Sequence, residues 1–385
     1  MKNLEKEEVL KIKNIAKDDV LLFLDLASAS LDELNLFPNR IFILDHHEIT
    51  GTPNSNITMI NPHLFDNESI SAAGISYLFS RAIDPKNKDL AGLAVIGMVG
   101  DMLDRNLSKS NNEILNDAEV TIKKGLMLYP ATRPIHKALE YSSGIYIPGV
   151  TGNAQGAFEL VREIGLTKEG NTFKSLIELD EDEMSKLLTA VLLRTKKTGN
   201  EIIGNIYLVK FFNKLEDARE LSAMINACSR LGQSYVSLSF CIGSKTAIKN
   251  AEEIYAKYKQ QIVSALNFVE QNKIEGKNYI IINAKDQIKD TIIGTISSIV
   301  SMSATKEEGS VVIGMAYDNE KIKVSARLVG RNGRNVRELL DKTVKEFGGE
   351  GGGHPQAAGC LICKDKEEAF LTNIVKNLEL EVVKV

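Results

Sequence analysis

The chain has 385 residues, of which 43% are hydrophobic and 25% are charged, so its composition is that of a globular protein long enough for two domains. Its formal net charge of −4 excludes a uniformly basic surface, and nucleic-acid binding would therefore need a local basic groove. Lysine clusters such as Lys257-Tyr258-Lys259 are expected to be solvated. The sequence has neither an uncharged run of about 18 residues nor a signal-peptide pattern, so we expect a cytoplasmic protein that does not contact a membrane.

Two apolar runs near the N-terminus end at polar residues that are suited to metal binding. Val20–Leu24 is predicted to be a buried strand, and it ends at Asp25. Arg40–Leu44 is a second run of this kind, and it leads directly into Asp45-His46-His47. Continuous apolar runs of this length are typical of parallel sheets, whose strands are buried on both faces.

A third apolar run, Leu93–Gly100, ends at Asp101, and residues 69–82 have the amphipathic pattern of a crossover helix. Because ligands of open α/β sheets bind beyond the carboxyl ends of the strands, the sequence predicts Asp25, His46 and Asp101 at one sheet edge. Carboxylate and imidazole groups together are ligands for a divalent metal. The alternative is that each Asp caps a helix, but three caps at three strand ends would be a coincidence. Asp104 fits the exposed start of a helix.

The middle of the chain is predicted to be helical over about 112–142, 154–164 and 175–196. A long amphipathic helix is predicted over about 244–272. Strands are predicted at Ile206–Val209, Tyr235–Leu238, Tyr279–Ile282, Ser310–Ala316 and Ile322–Arg327. Because mixed β and α elements return after a helical connector, a domain boundary is expected within residues 150–195. Cys360 and Cys363 have metal-like spacing, but no second cysteine pair follows them, so we expect structural cysteines.

Two motifs far apart in the chain resemble one known family. Asp45-His46-His47, with the Asp25 and Asp101 strand ends on either side, resembles the signature of the DHH phosphoesterase superfamily. The run from Gly351 to Gly359 resembles the glycine-rich signature of the companion DHHA1 domain. Within the superfamily the chain is most similar to the archaeal RecJ-like, single-strand-specific exonucleases. The resemblance implies an α/β fold with a parallel-sheet DHH domain over residues 1–150, a helical connector over 151–195 and a smaller α/β DHHA1 domain over 196–385.

One departure from the family concerns the N-terminus. Active members open with a strand that leads into a His-x-Asp-x-Asp motif, which supplies three ligands of a two-metal site. This chain begins with a charged, helix-like segment over residues 1–18, and the motif occurs nowhere in it. Either the chain is cut short, or it is a natural variant that lost the motif.

The resemblance also implies roles for individual residues in the DHH domain. Asp25, His46 and Asp101 would hold Mn²⁺ or Mg²⁺. His47 would face the scissile phosphate, and Asp45 would orient the two imidazoles.

The DHHA1 domain would hold the nucleic-acid strand. Glycines let backbone N–H groups approach an anion, and Arg can grip a phosphate with two donors. The residues expected to bind phosphate are Ser325, Arg327, Gly351, Gly352, Gly353 and His354.

The favoured function is metal-dependent phosphodiester hydrolysis on single-stranded nucleic acid, in DNA repair or replication. One alternative is a weak or inactive scaffold that binds single strands within a replisome or helicase complex. Another is a phosphodiesterase for small oligonucleotides or cyclic dinucleotides. The expected partners are single-stranded DNA or RNA and a replisome (GINS-like) or repair-helicase protein.

Overall fold

The computed structural model describes residue 4 and residues 6–142, 145–168, 170–195, 198–211, 213–303, 306–347 and 351–380. Within these residues the chain is a mixed α/β protein with three sheets. Among the described helices, none combines the length and the apolar character that a bilayer crossing requires.

The N-terminal part contains a three-stranded parallel sheet in the order β1-β2-β3. The predicted strands at Val20–Leu24 and Arg40–Leu44 are confirmed as β1 and β2, although β1 is not buried on both faces as predicted. The helix predicted at 69–82 is confirmed as α3, but it is not a crossover, because it leads into helix α4 and not into a further strand of this sheet. The elements of this part are α1 (Lys6–Ala16), β1 (Leu21–Leu24), α2 (Leu31–Leu34), β2 (Ile41–Leu44), β3 (Ile57–Ile60), α3 (Ala72–Ile83), α4 (Ala91–Gly100) and α5 (Lys109–Asp117).

The predicted strand Leu93–Gly100 is wrong, because this segment lies within helix α4. Its residues are apolar on every side of the helix, and a short apolar run without periodicity does not distinguish a helix from a strand. Gly97 explains the packing, since a Cβ at this position would collide with the Cβ of Ala73 on α3. The two helices therefore approach each other closely, and Asp101 follows the end of a helix rather than a strand.

Strand β1 is an edge of the N-terminal sheet. Leu22 and Leu24 project from one of its faces, and they are 52% and 45% exposed. Val20, two residues earlier in the same alternation, is 63% exposed. Among the described residues, nothing buries this apolar face of the edge strand.

The middle part has a small antiparallel sheet in the order β4-β5-β6 and several helices. The prediction of helix throughout 112–142 missed strand β4, and the predicted strand Tyr235–Leu238 is wrong because it lies in helix α11. The elements are β4 (Thr121–Leu126), α6 (Ile135–Glu140), α7 (Ala154–Glu163), α8 (Glu181–Arg194), α9 (Gly199–Ile202), β5 (Ile203–Phe211), β6 (Lys214–Asp217), α10 (Ala218–Arg230), α11 (Ser234–Cys241) and α12 (Lys245–Asn272).

The C-terminal part contains a six-stranded mixed sheet in the order β11-β12-β10-β9-β8-β7. The predicted strands that became β8, β9 and β10 are confirmed, and Cys360 is buried while Cys363 is exposed on the same strand. The elements are β7 (Ile274–Glu275), β8 (Tyr279–Asn283), α13 (Asp290–Ser303), β9 (Val311–Asp318), β10 (Lys321–Leu328), α14 (Val336–Val344), β11 (Gly351–His354), β12 (Ala357–Cys363) and α15 (Glu367–Leu380).

Helix α10 connects the N-terminal part to the C-terminal part. Near its start, Arg219 forms an ion pair with Asp104, which is buried rather than at the exposed helix start that the sequence predicted. At its last residue, the Arg230 guanidinium donates a hydrogen bond to the Thr291 carbonyl at 3.2 Å. The helix therefore holds the end of the Asp101 segment and the start of the C-terminal unit in a fixed relation.

Candidate metal centre and anion-binding face

The carboxyl ends of β1 and β2 bring Asp25, His46 and His47 together. Leu24 lies opposite Leu44 in the parallel register, so the residues that follow these two strands are neighbours. Asp25 has a φ of +63°, a left-handed conformation that Asp adopts more readily than most residues. One ligand atom from each of the three side chains lies within 4.8 Å of the others. Oxygen and imidazole donors at this spacing fit a divalent cation.

His46 is oriented as a metal ligand would be. Its Nδ1 lies 3.1 Å from the Ile70 carbonyl oxygen, which can only accept, so Nδ1 carries the proton. The free Nε2 then faces the Asp25 carboxylate at 3.4 Å. Donation from the second ring nitrogen to a carbonyl is the usual arrangement in metal-ligating histidines. The hydrogen bond to Asp25 raises the pKa of His46, and burial opposes this shift only in part, so a cation and a proton compete for Nε2.

Asp45 is buried, with 1% of its surface exposed, and it organises the loop that carries both histidines. Its carboxylate accepts hydrogen bonds from the backbone N–H groups of Ser28 at 3.1 Å and His46 at 2.8 Å, and from the His47 Nδ1–H at 2.7 Å. Burial alone would raise the pKa of Asp45, but the hydrogen bonds from Ser28 and His47 outweigh it and lower that pKa. Asp45 is therefore an anion that fixes the His47 ring and leaves Nε2 of that ring available.

Asp101 lies near this group without joining it. Its negative charge contributes to the raised pKa of His46, which places its carboxylate on the same side of the molecule. Although part of Asp101 is exposed, desolvation by the surrounding protein raises its pKa, and His46 opposes that shift. Among the described residues, the three side chains within ligand distance of one another are Asp25, His46 and His47, whereas the sequence predicted Asp101 as the third.

Four of the predicted phosphate-binding residues share one face of the C-terminal sheet. Arg327 and His354 lie in one row across β12, because both are opposite Ala357. Ser325 and Gly352 lie in the next row on the same face, because both are opposite Gly359. In these two rows, only Ala357 and Gly359 of β12 lie between β10 and β11, so no side chain larger than a methyl group separates the polar groups. We call this strip the shallow trough; Arg327 lies on one side of it and His354 on the other.

The glycine-rich segment forms strand β11. A Cβ on Gly351 would collide with Asp341, and a Cβ on Gly353 would collide with the backbone of β12. Gly353 also has a φ of +130°, which only glycine adopts readily. Packing therefore explains two of the three glycines, and Gly352 alone faces open space.

Arg327 is held beside a second guanidinium that the sequence prediction passed over. Its Nε donates to the Ser298 hydroxyl at 2.8 Å, and its Nη1 donates to the Ala326 carbonyl at 2.8 Å. Burial lowers the pKa of Arg327, and the positive charge of Arg230 adds to that shift. Because Arg327 is partly buried and Arg230 adds a second positive charge beside it, the two guanidiniums together attract an anion. Arg230, at the end of α10, reaches α13 through its hydrogen bond to the Thr291 carbonyl, and spacing along the chain gave no signal of this contact.

Family models match two segments of the chain: the DHH-CID domain matches residues 128–203, and the DHHA1 domain matches residues 276–379. An uncharacterized protein of Methanocaldococcus jannaschii is 30% identical over 390 aligned residues, which cover 97% of this chain and 84% of the relative.

Solved structures with the same fold include exonuclease RecJ bound to manganese, with a TM-score of 0.56 and 16% identity, for which the match covers 98% of this chain and 79% of that one. CDC45 from Entamoeba histolytica matches with a TM-score of 0.65 and 12% identity, over 98% and 88% of the two chains. RecJ from Thermus thermophilus in complex with Mn²⁺ matches with a TM-score of 0.57 and 16% identity, over 96% and 46%. With its Asp-His-His loop, its DHHA1 unit and this fold, the chain belongs to the DHH/DHHA1 phosphoesterase superfamily as a RecJ-like member.

Proposed function

We propose that this protein is a divalent-metal-dependent phosphodiesterase that hydrolyses single-stranded nucleic acid, in DNA repair or replication. The observation that carries the proposal is the approach of Asp25, His46 and His47 to within ligand distance at the ends of two parallel strands. The manganese-bound structures of RecJ favour Mn²⁺ or Mg²⁺ as the ion. We assign Asp25 and His46 as metal ligands, and Asp101, whose charge acts on His46, as a further ligand.

When bound, the metal would supply Lewis acidity for attack on the phosphodiester. The residues of the chain position the reacting groups. The Ile70 carbonyl keeps the proton of His46 on Nδ1 and so presents Nε2 to the ion. Asp45 holds His47 with Nδ1 protonated, which leaves Nε2 to contact the scissile phosphate. Asn61 fixes the same loop by donating to the His47 carbonyl at 2.9 Å.

The shallow trough on the C-terminal sheet would hold the strand by its phosphates. Arg327 and Arg230 supply positive charge in a chain whose net charge is −4, as a local binding groove requires. Gly352 and Gly359 keep the floor of the trough low, so that a sugar-phosphate backbone can approach the sheet closely.

Release of mononucleotides from end-labelled DNA and RNA single strands, with and without Mn²⁺, tests this function. We expect metal-dependent release by the wild type. We expect Asp25→Asn and Asp101→Ala to reduce it at least about tenfold, because each loses a proposed metal ligand. Asp66→Asn, which changes an exposed carboxylate outside the centre, is the matched control and should behave as the wild type. No release by the wild type, with Asp101→Ala indistinguishable from it, would contradict the proposal.

The second candidate is a scaffold that binds single strands within a replisome (GINS-like) or repair-helicase assembly without cleaving them. The exposed apolar face of β1 favours it, because a parallel sheet usually buries both faces of its strands. Calorimetry separates the two candidates: tight single-strand binding without Mn²⁺ uptake identifies the scaffold, whereas Mn²⁺ uptake that Asp25→Asn abolishes identifies the metal centre.

A further inference from the structure

A groove of about 500 Å³ lies between helix α12 and the end of helix α6, away from the residues assigned above. A volume of this size is within the range of small-ligand sites. On the α12 side, polar side chains recur at helical spacing. The polar residues that line the groove are Glu140, Tyr141, Lys259, Gln260, Ser264 and Asn267.

Lys259 is partly buried in this groove, although the sequence predicted a solvated lysine. Its ammonium lies 4.4 Å from the ring centroid of Tyr255 and 5.0 Å from that of Tyr141. Burial lowers the pKa of Lys259, and it has no ion-pair partner among the described residues. A buried charge is costly unless it is paired, and two aromatic faces offset only part of that cost.

Glu220 and Glu140 are the carboxylates that favour the charged form of Lys259, Glu220 more strongly, but neither forms an ion pair with it among the described residues. The Lys137 ammonium donates to the Glu140 carboxylate at 2.8 Å. The Glu140 carboxylate also raises the pKa of Tyr141. Arg133 nearby is paired with Glu220 at 3.3 Å. Lys259 therefore carries a positive charge that none of the described carboxylates pairs directly, and hydroxyl and amide groups line the groove around it.

We propose that this groove is a phosphate-binding site in which Lys259 contacts a phosphate group and Gln260, Ser264 and Asn267 donate to the phosphate or to the attached sugar or base. The site deepens the proposed function and rests on it, because it gives the single strand a contact outside both the metal centre and the sheet. A free nucleotide carries the same phosphate chemistry, so the experiment includes both ligands.

The test measures equilibrium binding of a labelled 16-nucleotide oligothymidylate and of dTMP to the full chain in EDTA, where metal-dependent hydrolysis does not occur. We expect Lys259→Gln to weaken binding of the strand about tenfold, the size of a charge-assisted contact. The dependence of log affinity on log salt should become shallower by about 0.7, the contribution of one phosphate of a single strand. Lys259→Arg keeps the charge and should restore most of the affinity.

Lys257→Gln is the matched control, because it removes the same charge from an exposed position on the same helix. It should change the affinity less than twofold, and both variants should melt as the wild type does. Loss of dTMP binding in Lys259→Gln would assign the groove to free nucleotides, and loss of strand binding alone would assign it to the strand. Either result supports the site.

Equal affinity of Lys259→Gln and the wild type for both ligands would overturn the proposal. An oligoglutamate peptide that bound as tightly as the strand, with the same dependence on Lys259, would also overturn the assignment to phosphate. Because no metal is present, these outcomes are independent of hydrolysis. If the protein cleaves strands but its binding does not depend on Lys259, only the proposed groove site is wrong. If it binds strands through Lys259 but does not cleave them, only the proposed activity is wrong.

Discussion

Among the described residues, the N-terminal sheet leaves an apolar face of its edge strand exposed, whereas the central strands of the C-terminal sheet are covered on both faces. Helix α13 packs on one face of its central strands, and α14 and α15 share a buried core with the other face. Its edge strands are short: β7 has two residues, and β11 has four, of which three are glycine. The N-terminal sheet ends at β1, whose Leu22 and Leu24 face outward.

Short or glycine-rich edges discourage pairing with another strand, whereas an exposed apolar edge invites it. The two sheets therefore differ in how their edge strands are protected from pairing with another strand. The C-terminal sheet is closed by its own chain, while the N-terminal sheet leaves a surface on which a further strand or a partner can pack. A strand added parallel to β1 would end beside Asp25, so the open edge and the candidate metal centre lie at the same place.

The largest expected effect compares one strand position from each of the two sheets. Ile313, on β9, is fully buried, and replacing it with Ala should lower the free energy of unfolding by about 2–5 kcal/mol. Leu22→Ala on β1 should change it by less than about 0.5 kcal/mol, because its side chain is already half exposed. Chemical denaturation of both variants checks the comparison. A cost for Leu22→Ala as large as that for Ile313→Ala would show that β1 is covered in solution.

The second prediction concerns the metal, which we assign to the N-terminal sheet alone. His46→Ala should weaken Mn²⁺ binding at least about tenfold in calorimetry, because it removes the Nε2 ligand. The control is His63→Ala, an exposed histidine on the loop after β3, which should bind Mn²⁺ as the wild type does. If both variants bound Mn²⁺ equally well, the ion would belong elsewhere in the molecule.

The smallest expected effect is a pH dependence in the C-terminal sheet. The Glu367 carboxylate on α15 accepts hydrogen bonds from Tyr317 at 2.5 Å and Asn283 at 2.7 Å. Burial alone would raise the pKa of Glu367, but these bonds outweigh it and hold that pKa below its ordinary value of 4.5. The stabilisation is therefore present above pH 4.5 and is lost as pH falls through the folded-state pKa.

Glu367→Gln should accordingly lower the free energy of unfolding by about 1 kcal/mol at neutral pH, and this difference should shrink on acidification. Glu368→Gln, at the exposed neighbouring position, should show neither effect. A pH-independent difference between Glu367→Gln and the wild type would mean that the carboxylate charge does not hold α15 to the sheet.

Strands β1, β2, β8, β9 and β10 were predictable because they are short apolar runs, and the long helix α12 was predictable because its apolar residues repeat with the period of a helix. Helices α4 and α11 were not. Helix α4 is buried on every side, and its helical state depends on the close approach of Gly97 to Ala73, which is a contact between segments. Helix α11 presents Tyr235 and Leu238 to solvent, so its exposed apolar residues imitated a strand.

Part of the candidate site was predictable from the ends of the first two strands. Asp25 and His46 meet because β1 and β2 are parallel neighbours, which short apolar runs indicate. The position of Asp101 depends instead on how α4 packs, and the sequence placed it in the sheet. Likewise, the shared face of Ser325 and His354 follows from the register across β12, which strand prediction alone does not supply.

Helix α10 has 13 residues and rises about 1.5 Å with each of them, so its length sets the separation between Asp104 at one end and Thr291 at the other. The length of the helix thus sets the distance between the metal centre and the anion-binding face. An insertion of one full turn within α10 would move the metal centre relative to the anion-binding face by about 5 Å, nearly the spacing of adjacent nucleotides. It would change no residue of either site.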